Sequence, residues 1–538
     1  DMKKLLSILI LLFISQMLAA QNNPKLVVGI VVDQMRYDYL YRYYDRYSER
    51  GFKRILKQGY NFKNAHFNYF PTYTGPGHAA VYTGTTPSVN GIVSNDWFDR
   101  KADKFIYCAG DSTAEAVGGS GEKGNISARN VQVTTITDEL RLFYNHRSKV
   151  VGLSIKDRGA AIPAGHNPTG AYWYDSKSGD FISSTYYMDS LPEWVERFND
   201  SEISDKYASQ TWELLGDIEE YKNSTKDDSP YEYSLEGEKP TFPYDLSKVE
   251  KPLSTLSSTP FGNQLVLDFA LEAIEGEGLG QDEITDFLAV SFSSTDYAGH
   301  AFGPRAVELE DMYLRLDLDI AQLLEYLDEN IGENQYIVFL TADHGVVDVP
   351  DYLQDNNYPG KRVDYRTATG TLIYLLEQDL GKGDWITNFS NQQVYLSREL
   401  LKENDYEPDD VQELVKSILL EMDFVSDAYT ATELSTRSMT DPMAVRWQNG
   451  FYAPLSGDVM VQMKSGYLFG KEGQPGTTHG STFIYDTHIP ILFYGAGIPA
   501  GESVRPVSVT DIAPSISMLL NISLPSGCTG QPLKELFE

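Results

Sequence analysis

Short, continuous apolar runs that each lead to a charged residue constrain the fold of this chain most. Four of them are LVVGIVV before Asp33, KVVGLSI before Lys156, DFLAVSFSS before Asp296 and YIVFLTA before Asp343. Because polar residues do not alternate along these runs, each predicts a β-strand that is buried on both faces. A fifth run, IPILFYGAG, follows His488.

Amphipathic helical patterns separate these runs, and the clearest spans residues 306–331. Buried strands alternating with such helices predict an α/β fold, a three-layer sandwich around a mostly parallel central sheet. Ligands of such sheets bind at the carboxyl ends of the strands. The charged residues that follow the four runs are therefore expected to face one crevice, although each alone could be an ordinary cap or turn residue.

One catalytic domain is expected to occupy residues 21–538, with two insertions that interrupt the alternation of strands and helices. Residues 170–251 are rich in Tyr, Trp, Ser and acidic side chains and are interpreted as a cap of loops and hairpins over the core. Residues 350–460 contain the helical pattern DDVQELVKSILLEM and short strand patterns, which predict a small α+β subdomain.

Residues 1–20 have the pattern of a signal peptide. Lys3 and Lys4 precede an apolar stretch from Leu5 to about Ile14, and two alanines close the segment. A stretch of this length is too short for a membrane anchor. We expect a mature protein that begins near Gln21 and is periplasmic or secreted.

Charge and cysteine content exclude some classes of protein. The chain has 77 acidic and 44 basic residues, a formal net charge of −33 and no run of Lys and Arg, so nucleic-acid binding is not expected. Its two cysteines, Cys108 and Cys528, could form one disulfide or remain separate thiols, and the sequence leaves both possibilities open.

Two short patterns combine carboxylates with imidazoles. Asp296 and His300 lie four residues apart in STDYAGH, and Asp343 and His344 are adjacent in TADHG. His479 lies in the glycine-containing loop PGTTHGS. Carboxylate oxygen with imidazole nitrogen suits Zn²⁺, with Mn²⁺ a weaker competitor. The spacing Asp-x-x-x-His is a weak motif, and on its own it is more often structural than metal-binding.

The stretch TYTGPGHAA places Thr74 at the start of a predicted helix. Pro76 is tolerated in a first helical turn, and the flanking glycines Gly75 and Gly77 allow close approach of other groups. A helix N-terminus supplies backbone donors and partial positive charge to an anion such as a phosphoryl group. Without metal ligands elsewhere, the same stretch is explained as an ordinary turn that enters a helix.

The order of these residues along the chain resembles that of the alkaline phosphatase superfamily. The residues that carry the resemblance are Asp33, Thr74, Asp296, His300, Asp343, His344 and His479, with the closing pattern SVTDIAPSISMLL. The resemblance covers nearly the whole chain after the signal peptide and implies an alkaline-phosphatase-like fold with two metal ions. One ion would be held by Asp296, His300 and His479. The other would be held by Asp33, Asp343 and His344 with the Thr74 oxygen.

The resemblance also implies which threonine reacts. In the diesterase-like branch of the superfamily the nucleophile directly precedes a residue-Pro-residue-His run, which selects Thr74 over Thr72. Thr72 is then a packing or hydrogen-bonding residue, and His78 is expected to be structural. Sulfatases are disfavoured, because they require a Cys or Ser in a Cys/Ser-x-Pro-x-Arg pattern that TGPGH lacks.

Lys156 and Arg158 are two cations only two residues apart, and they favour a phosphate monoester as the substrate. In extended backbone their side chains would point to the same side. Together they complement a phosphate monoester, which carries nearly two negative charges, better than a diester. The pair resembles that of the PafA-type bacterial alkaline phosphatases, and Asn95 matches the asparagine that donates to a phosphate oxygen there. A solvated strand end is the alternative explanation of the pair.

The expected function is hydrolysis of small-molecule phosphate monoesters through a phosphothreonine intermediate at a centre of two Zn²⁺ ions. No third ligand set is apparent, so no Mg²⁺ site is expected, and Lys156 would supply the positive charge instead. The alternative on the same scaffold is a phosphodiesterase or nucleotide pyrophosphatase; a phosphomutase is disfavoured by export. A catalytically silent surface protein that binds glycans or partners through the segment around Trp173 is the alternative from another class. We expect a monomer.

Overall fold

The computed structural model describes residues 23–235 and 239–538. Ten strands form the central sheet. In chain order they are β1 (Leu26–Val32), β2 (Tyr60–Phe62), β3 (Ala116–Val117), β4 (Val150–Ser154), β5 (Gly170–Asp175), β6 (Asp180–Ser184), β7 (Asp286–Phe292), β8 (Tyr336–Thr341), β9 (Ile491–Gly495) and β10 (Gly501–Ser503).

The strands lie in the order β10-β2-β9-β8-β1-β7-β4-β5-β6-β3. Neighbouring strands from β8 to β5 run parallel, and Leu26 of β1 is in register with Asp286 of β7 and Tyr336 of β8. Every residue of β1 and β7 is buried, as expected for strands covered on both faces. The strand predicted after His488 is β9, which runs antiparallel to β8.

Helices cover both faces of the sheet. They include α1 (Thr74–Thr83), α2 (Asp157–Ala164), α3 (Pro260–Glu277), α4 (Ser294–Phe302), α5 (Val307–Leu327) and α6 (Ile512–Leu520). Helices α1, α2 and α6 pack in one layer, and α3, α4 and α5 pack together in the other. The predicted three-layer α/β sandwich with a mostly parallel sheet is therefore confirmed. The predicted helix at 306–331 is α5 followed by a π-helical turn at Asp328–Gly332.

A second sheet lies outside the central one. Its four strands, in spatial order, are Ile386–Ser390, Gln393–Leu396, Val459–Met463 and Val425–Thr430, all antiparallel. The helices Tyr365–Leu380 and Pro408–Leu420 pack against this sheet around a separate apolar core. We call this unit, residues 361–469, the small α+β unit. It falls largely within the segment where the sequence predicts a subdomain.

The first part of segment 170–251 belongs to the central sheet, whereas the sequence predicts a cap of loops and hairpins there. Its first two strands, β5 and β6, extend the central sheet and do not cap it, and the helices Glu193–Asp200 and Ile203–Ala208 follow. The predicted signal peptide lies outside the described residues. None of the helices in residues 23–235 and 239–538 combines the length and the apolar character that a membrane span requires. Cys108 and Cys528 are separate thiols.

The remaining elements are short. The other α-helices of the described residues are Tyr39–Arg42, Phe52–Gln58, Pro87–Asn90, Ile136–Phe143, Pro252–Thr255, Pro350–Asp355, Arg398–Glu403, Ala431–Thr436, Pro442–Gly450 and Ile484–Thr487. The other strands pair in twos: Ala65–His66 with Val507–Ser508, Asp96–Asp99 with Lys104–Tyr107, Thr211–Trp212 with Tyr244–Asp245, and Lys361–Val363 with Tyr467–Phe469.

Candidate active site

The carboxyl ends of four adjacent parallel strands bring the predicted charged residues together. Asp33 follows β1, Lys156 follows β4, Asp296 lies in the first turn of α4 after β7, and Asp343 follows β8. The Lys156 Nζ lies 2.6 Å from Asp33 Oδ2 and 2.5 Å from Asp296 Oδ2. The expected crevice at the carboxyl edge of the sheet is therefore present, and its charges are in direct contact.

Two clusters of possible metal ligands occupy this crevice. The first cluster contains Asp296, His300 and His479, and the second contains Asp33, Asp343 and His344. In each cluster, the ligand atoms of the three residues lie within 4.8 Å of one another. The Nε2 of His300 is 3.2 Å from Asp296 Oδ1. The Nε2 of His344 is 3.4 Å from Asp33 Oδ1. These are the two groups of three that the resemblance implies.

Backbone carbonyls orient all three imidazoles. The Nδ1 of His300 faces Thr477 O at 2.8 Å, that of His344 faces Gly345 O at 2.9 Å, and that of His479 faces Thr72 O at 2.7 Å. A carbonyl only accepts, so each Nδ1 carries the proton and each Nε2 presents its lone pair to the cluster. This arrangement is typical of metal-binding histidines.

Buried carboxylate oxygens without a partner support the same interpretation. Asp33 Oδ1 and Asp343 Oδ2 are buried and accept no hydrogen bond. Burial raises the pKa of the Asp343 carboxyl well above its usual range. An ionised carboxylate in such a place needs a positive partner. The oxygen and nitrogen donors present therefore fit a pair of divalent metal ions.

Thr74 is the first residue of α1 and is 1% exposed. Its Oγ1 lies 3.5 Å from His344 Nε2 and accepts a hydrogen bond of 3.3 Å from Arg158 Nη2. Gly77 permits this position of α1, because a Cβ there would lie 2.2 Å from Asp343 O. The threonine hydroxyl thus lies between one ligand cluster and a guanidinium.

The neighbours of Thr74 in the chain have other contacts. Thr72 Oγ1 donates to Ser481 O at 2.8 Å. His78 bonds through Nδ1 to Thr74 O and lies through Nε2 3.0 Å from Ser291 Oγ. Burial lowers the pKa of His78 to about 4, so the ring is neutral at pH 7. It ties α1 to strand β7.

Lys156 and Arg158 reach the site from different backbone conformations. Lys156 is extended, but α2 begins at Asp157, so the extended conformation expected for residues 156–158 is wrong. Burial opposes the charge of Lys156, yet Asp296 and Asp33 outweigh it and raise the pKa of the ammonium. Arg158 Nη1 donates to Tyr107 Oη at 3.1 Å. Both cations still converge on the crevice.

Asn95 lies beside the start of α1. Its Oδ1 accepts a hydrogen bond of 2.7 Å from the backbone N–H of Gly75. The amide Nδ2 is therefore the group that remains to donate to a bound anion.

Gln34 is a residue of this site that sequence reasoning missed. Its backbone N donates to Asp343 Oδ1 at 3.1 Å, and its Nε2 donates to Asp296 Oδ1 at 2.5 Å. It thereby joins the two ligand clusters, and it does so with a left-handed φ of 67°. Gly299 makes room for it, since a Cβ there would lie 1.8 Å from Gln34 Oε1. The only signal in the sequence is its position directly after Asp33.

Comparison with known families matches residues 27–482 to the type I phosphodiesterase / nucleotide pyrophosphatase family. The chain belongs to this family. It is 45% identical over 522 residues to the "Calcium-transporting ATPase" of Myroides odoratus, which covers 96% of this chain and 95% of that protein. It is 44% identical over 535 residues to the alkaline phosphatase PafA of Elizabethkingia meningoseptica, covering 98% of this chain and 97% of that protein.

The fold agrees with these relatives. The crystal structure of wild-type alkaline phosphatase PafA superposes with a TM-score of 0.92 at 44% identity and covers 96% of this chain and 99% of that one. The resemblance to PafA-type enzymes of the alkaline phosphatase superfamily is therefore confirmed. The chain is an enzyme of the alkaline phosphatase class.

Proposed function

We propose that this protein is an exported, metal-dependent phosphate monoester hydrolase that forms a phosphothreonine intermediate on Thr74. The observation that carries the proposal is the position of Thr74 Oγ1 at a helix N-terminus, 3.3 Å from Arg158 and 3.5 Å from a histidine of one ligand cluster. Relatives that match nearly the whole chain and carry the name alkaline phosphatase support it.

The proposed cofactors are two Zn²⁺ ions. Asp296, His300 and His479 would hold one, and Asp33, Asp343 and His344 the other, with Thr74 Oγ1 as a further oxygen. Mixed carboxylate and imidazole donors suit zinc. Bound in this way, the ions would lower the pKa of the threonine hydroxyl and stabilise the negative charge of the leaving oxygen.

Each side chain of this site would then have its own role in phosphoryl transfer. Arg158 and the amide of Asn95 bind the outer phosphate oxygens. Thr74 Oγ1 attacks phosphorus, the bond to the ester oxygen breaks, and the released alcohol takes up a proton. Water next attacks the phosphothreonine, which frees inorganic phosphate and restores the hydroxyl. Positioning and electrostatic stabilisation dominate such transfers.

Lys156 and Arg158 favour monoesters over diesters. Both cations lie at one crevice, where Lys156 is buried with 2% of its side chain exposed and Arg158 is half-buried. A diester presents one negative charge to these cations and a monoester presents nearly two, so the monoester is bound more strongly. Hydrolysis of diesters or nucleotide pyrophosphates is the second candidate, favoured by the description of the matching family.

Metal content and a substrate panel test the proposal together. Purified mature protein should contain about two zinc ions per chain and should prefer an aryl phosphate to the matching diester and sulfate ester. Thr74→Ala should abolish turnover, and acid-quenched wild-type enzyme should show a phosphorylated Thr74 by mass spectrometry. A strong preference for the diester, or turnover that survives Thr74→Ala, would contradict the proposal.

Export and assembly stay predictions. We propose that residues 1–20 direct the protein to the periplasm or outside the cell and that the enzyme acts as a monomer. Fractionation of cells that produce the full chain, followed by size-exclusion chromatography with light scattering, tests both.

A further inference from the structure

A cavity of about 170 Å³ lies between the small α+β unit and the loop that carries His479. Five of its fifteen lining residues are Tyr or Phe, and they are Tyr73, Tyr467, Phe469, Phe483 and Tyr485. Lys464 supplies the one Lys or Arg among the lining residues, and the one carboxylate, Asp486, is bonded to Ser481. The cavity therefore offers ring contacts to a flat group.

One side of this cavity is formed next to the reacting groups. Tyr73 directly precedes Thr74, and its ring meets that of His479 edge-on with centroids 5.5 Å apart. Gly480 permits this contact, because a Cβ there would lie 2.3 Å from the Tyr73 ring, and its φ is +116°. The cavity thus starts at the neighbour of the proposed nucleophile and at a proposed metal ligand.

The opposite side is the tip of a hairpin from the small α+β unit. Asn391 and Gln392 form this turn, both with left-handed φ angles, of 49° and 57°. Asn391 Nδ2 donates to Asp96 O at 2.8 Å, and Gln392 Nε2 donates to Gly480 O at 3.5 Å. Asp96 follows Asn95, and Gly480 follows His479. The hairpin tip therefore contacts the chain next to both the proposed phosphate donor and the proposed metal ligand.

We propose that this cavity is a subsite for the leaving group and selects phosphate monoesters of phenols and benzylic alcohols. The inference rests on the proposed function, since it places the alcohol of a substrate whose phosphoryl group lies at Thr74. A cavity of about 150 Å³ accommodates one benzene ring, which matches the volume observed. Rings that stack against Tyr and Phe side chains gain further contact energy.

Benzyl phosphate and ethyl phosphate are the matched probes, because their alcohols have similar acidity and differ in the ring. Leu468, another lining residue, is replaced in Leu468→Trp to fill the cavity, and Tyr467→Ala enlarges it. Tyr374→Ala, 61% exposed on the helix Tyr365–Leu380 of the same unit, is the control. The measurement is the ratio of kcat/KM for benzyl phosphate to that for ethyl phosphate in each purified variant.

The ratio should exceed one in the wild type and fall about tenfold in Leu468→Trp, the scale on which apolar pockets discriminate. It should also fall in Tyr467→Ala and stay unchanged in Tyr374→Ala. Inhibition by inorganic phosphate, which has no leaving group, should be the same in all four proteins. The subsite is overturned if the ratio is unchanged in both cavity variants, or if kcat/KM falls equally for both substrates. Either result leaves the proposed hydrolysis of phosphate monoesters standing. A wild type that cleaves neither ester overturns both.

Discussion

Replacing Gln34 by alanine should weaken metal binding without unfolding the protein. The variant removes the 2.5 Å hydrogen bond to Asp296 and keeps the backbone bond to Asp343. A hydrogen bond to a charged group contributes about 1.5–3 kcal/mol. Because about 1.4 kcal/mol corresponds to a tenfold change in affinity, we expect zinc affinity to fall about 10- to 100-fold, the usual loss when a partner of a metal ligand is removed.

Gln34→Gly separates this hydrogen bond from backbone strain. Alanine keeps the cost of the φ of 67°, whereas glycine adopts that angle freely. Glycine should therefore recover about 1 kcal/mol of unfolding free energy relative to alanine while binding zinc equally weakly. Affinity is measured on metal-free protein by competition with a chromophoric chelator, and stability by urea unfolding of the same samples.

Gln378→Ala is the matched control, since this glutamine is exposed on the helix Tyr365–Leu380. It should leave both zinc affinity and stability as in the wild type. The reasoning is refuted if Gln34→Ala binds zinc within about twofold of the wild type, a change too small for the loss of a hydrogen bond to a metal ligand. It is also refuted if Gln34→Gly restores affinity, because strain would then be the cause.

Three further predictions concern the anion site, the nucleophile and pH. Removing both cations, Lys156→Ala with Arg158→Ala, should lower kcat/KM for monoesters about 100-fold or more and that for diesters much less; equal losses would count against their proposed role. Thr74→Ser keeps a hydroxyl and should still yield a phosphoenzyme on rapid acid quench, which Thr74→Ala should not; a phosphoenzyme in the alanine variant would exclude this nucleophile. His166 lies 2.8 Å from Asp138, and this bond raises the pKa of the imidazole above its ordinary value of about 6.5. The pair therefore stabilises the fold fully below that value, and the stabilisation is lost as pH rises through the folded-state pKa. His166→Asn should cost about 1 kcal/mol at pH 6, a small value because the ring is partly exposed, and less at pH 9; a cost that does not change with pH would show that the imidazole stays neutral.

Much of the fold could be predicted because the central strands are buried on both faces. Strands β1, β4, β7 and β8 carry no polar alternation, so their apolar runs mark their bounds to within a residue or two. Parallel neighbours end at one edge of a sheet, so the charged residues that follow them meet there. For this reason the strand pattern alone indicated the α/β sandwich and the crevice that Asp33, Lys156, Asp296 and Asp343 face. The two groups of ligands were implied by the resemblance to the alkaline phosphatase superfamily.

Local patterns did not determine the direction of the other strands, their place in the sheet, or the backbone conformation at Arg158. The run at β9 reads like the others, yet it lies antiparallel to β8, because burial on both faces is the same for either direction. Strands β5 and β6 extend the central sheet although their segment is rich in polar residues. Arg158 reaches the crevice from the first turn of a helix, not from extended backbone.

By itself, then, the sequence determined the layers of the fold and the charged residues at the carboxyl edge of its sheet, through burial patterns and residue types that act locally. Only the tertiary structure decided that Gln34 bridges the two ligand clusters and that Asn391 and Gln392 lie over the site. Asn391 contacts Asp96 across 295 residues of chain. Such contacts depend on how distant parts of the chain pack against each other, and no local periodicity or motif of the sequence predicts that packing.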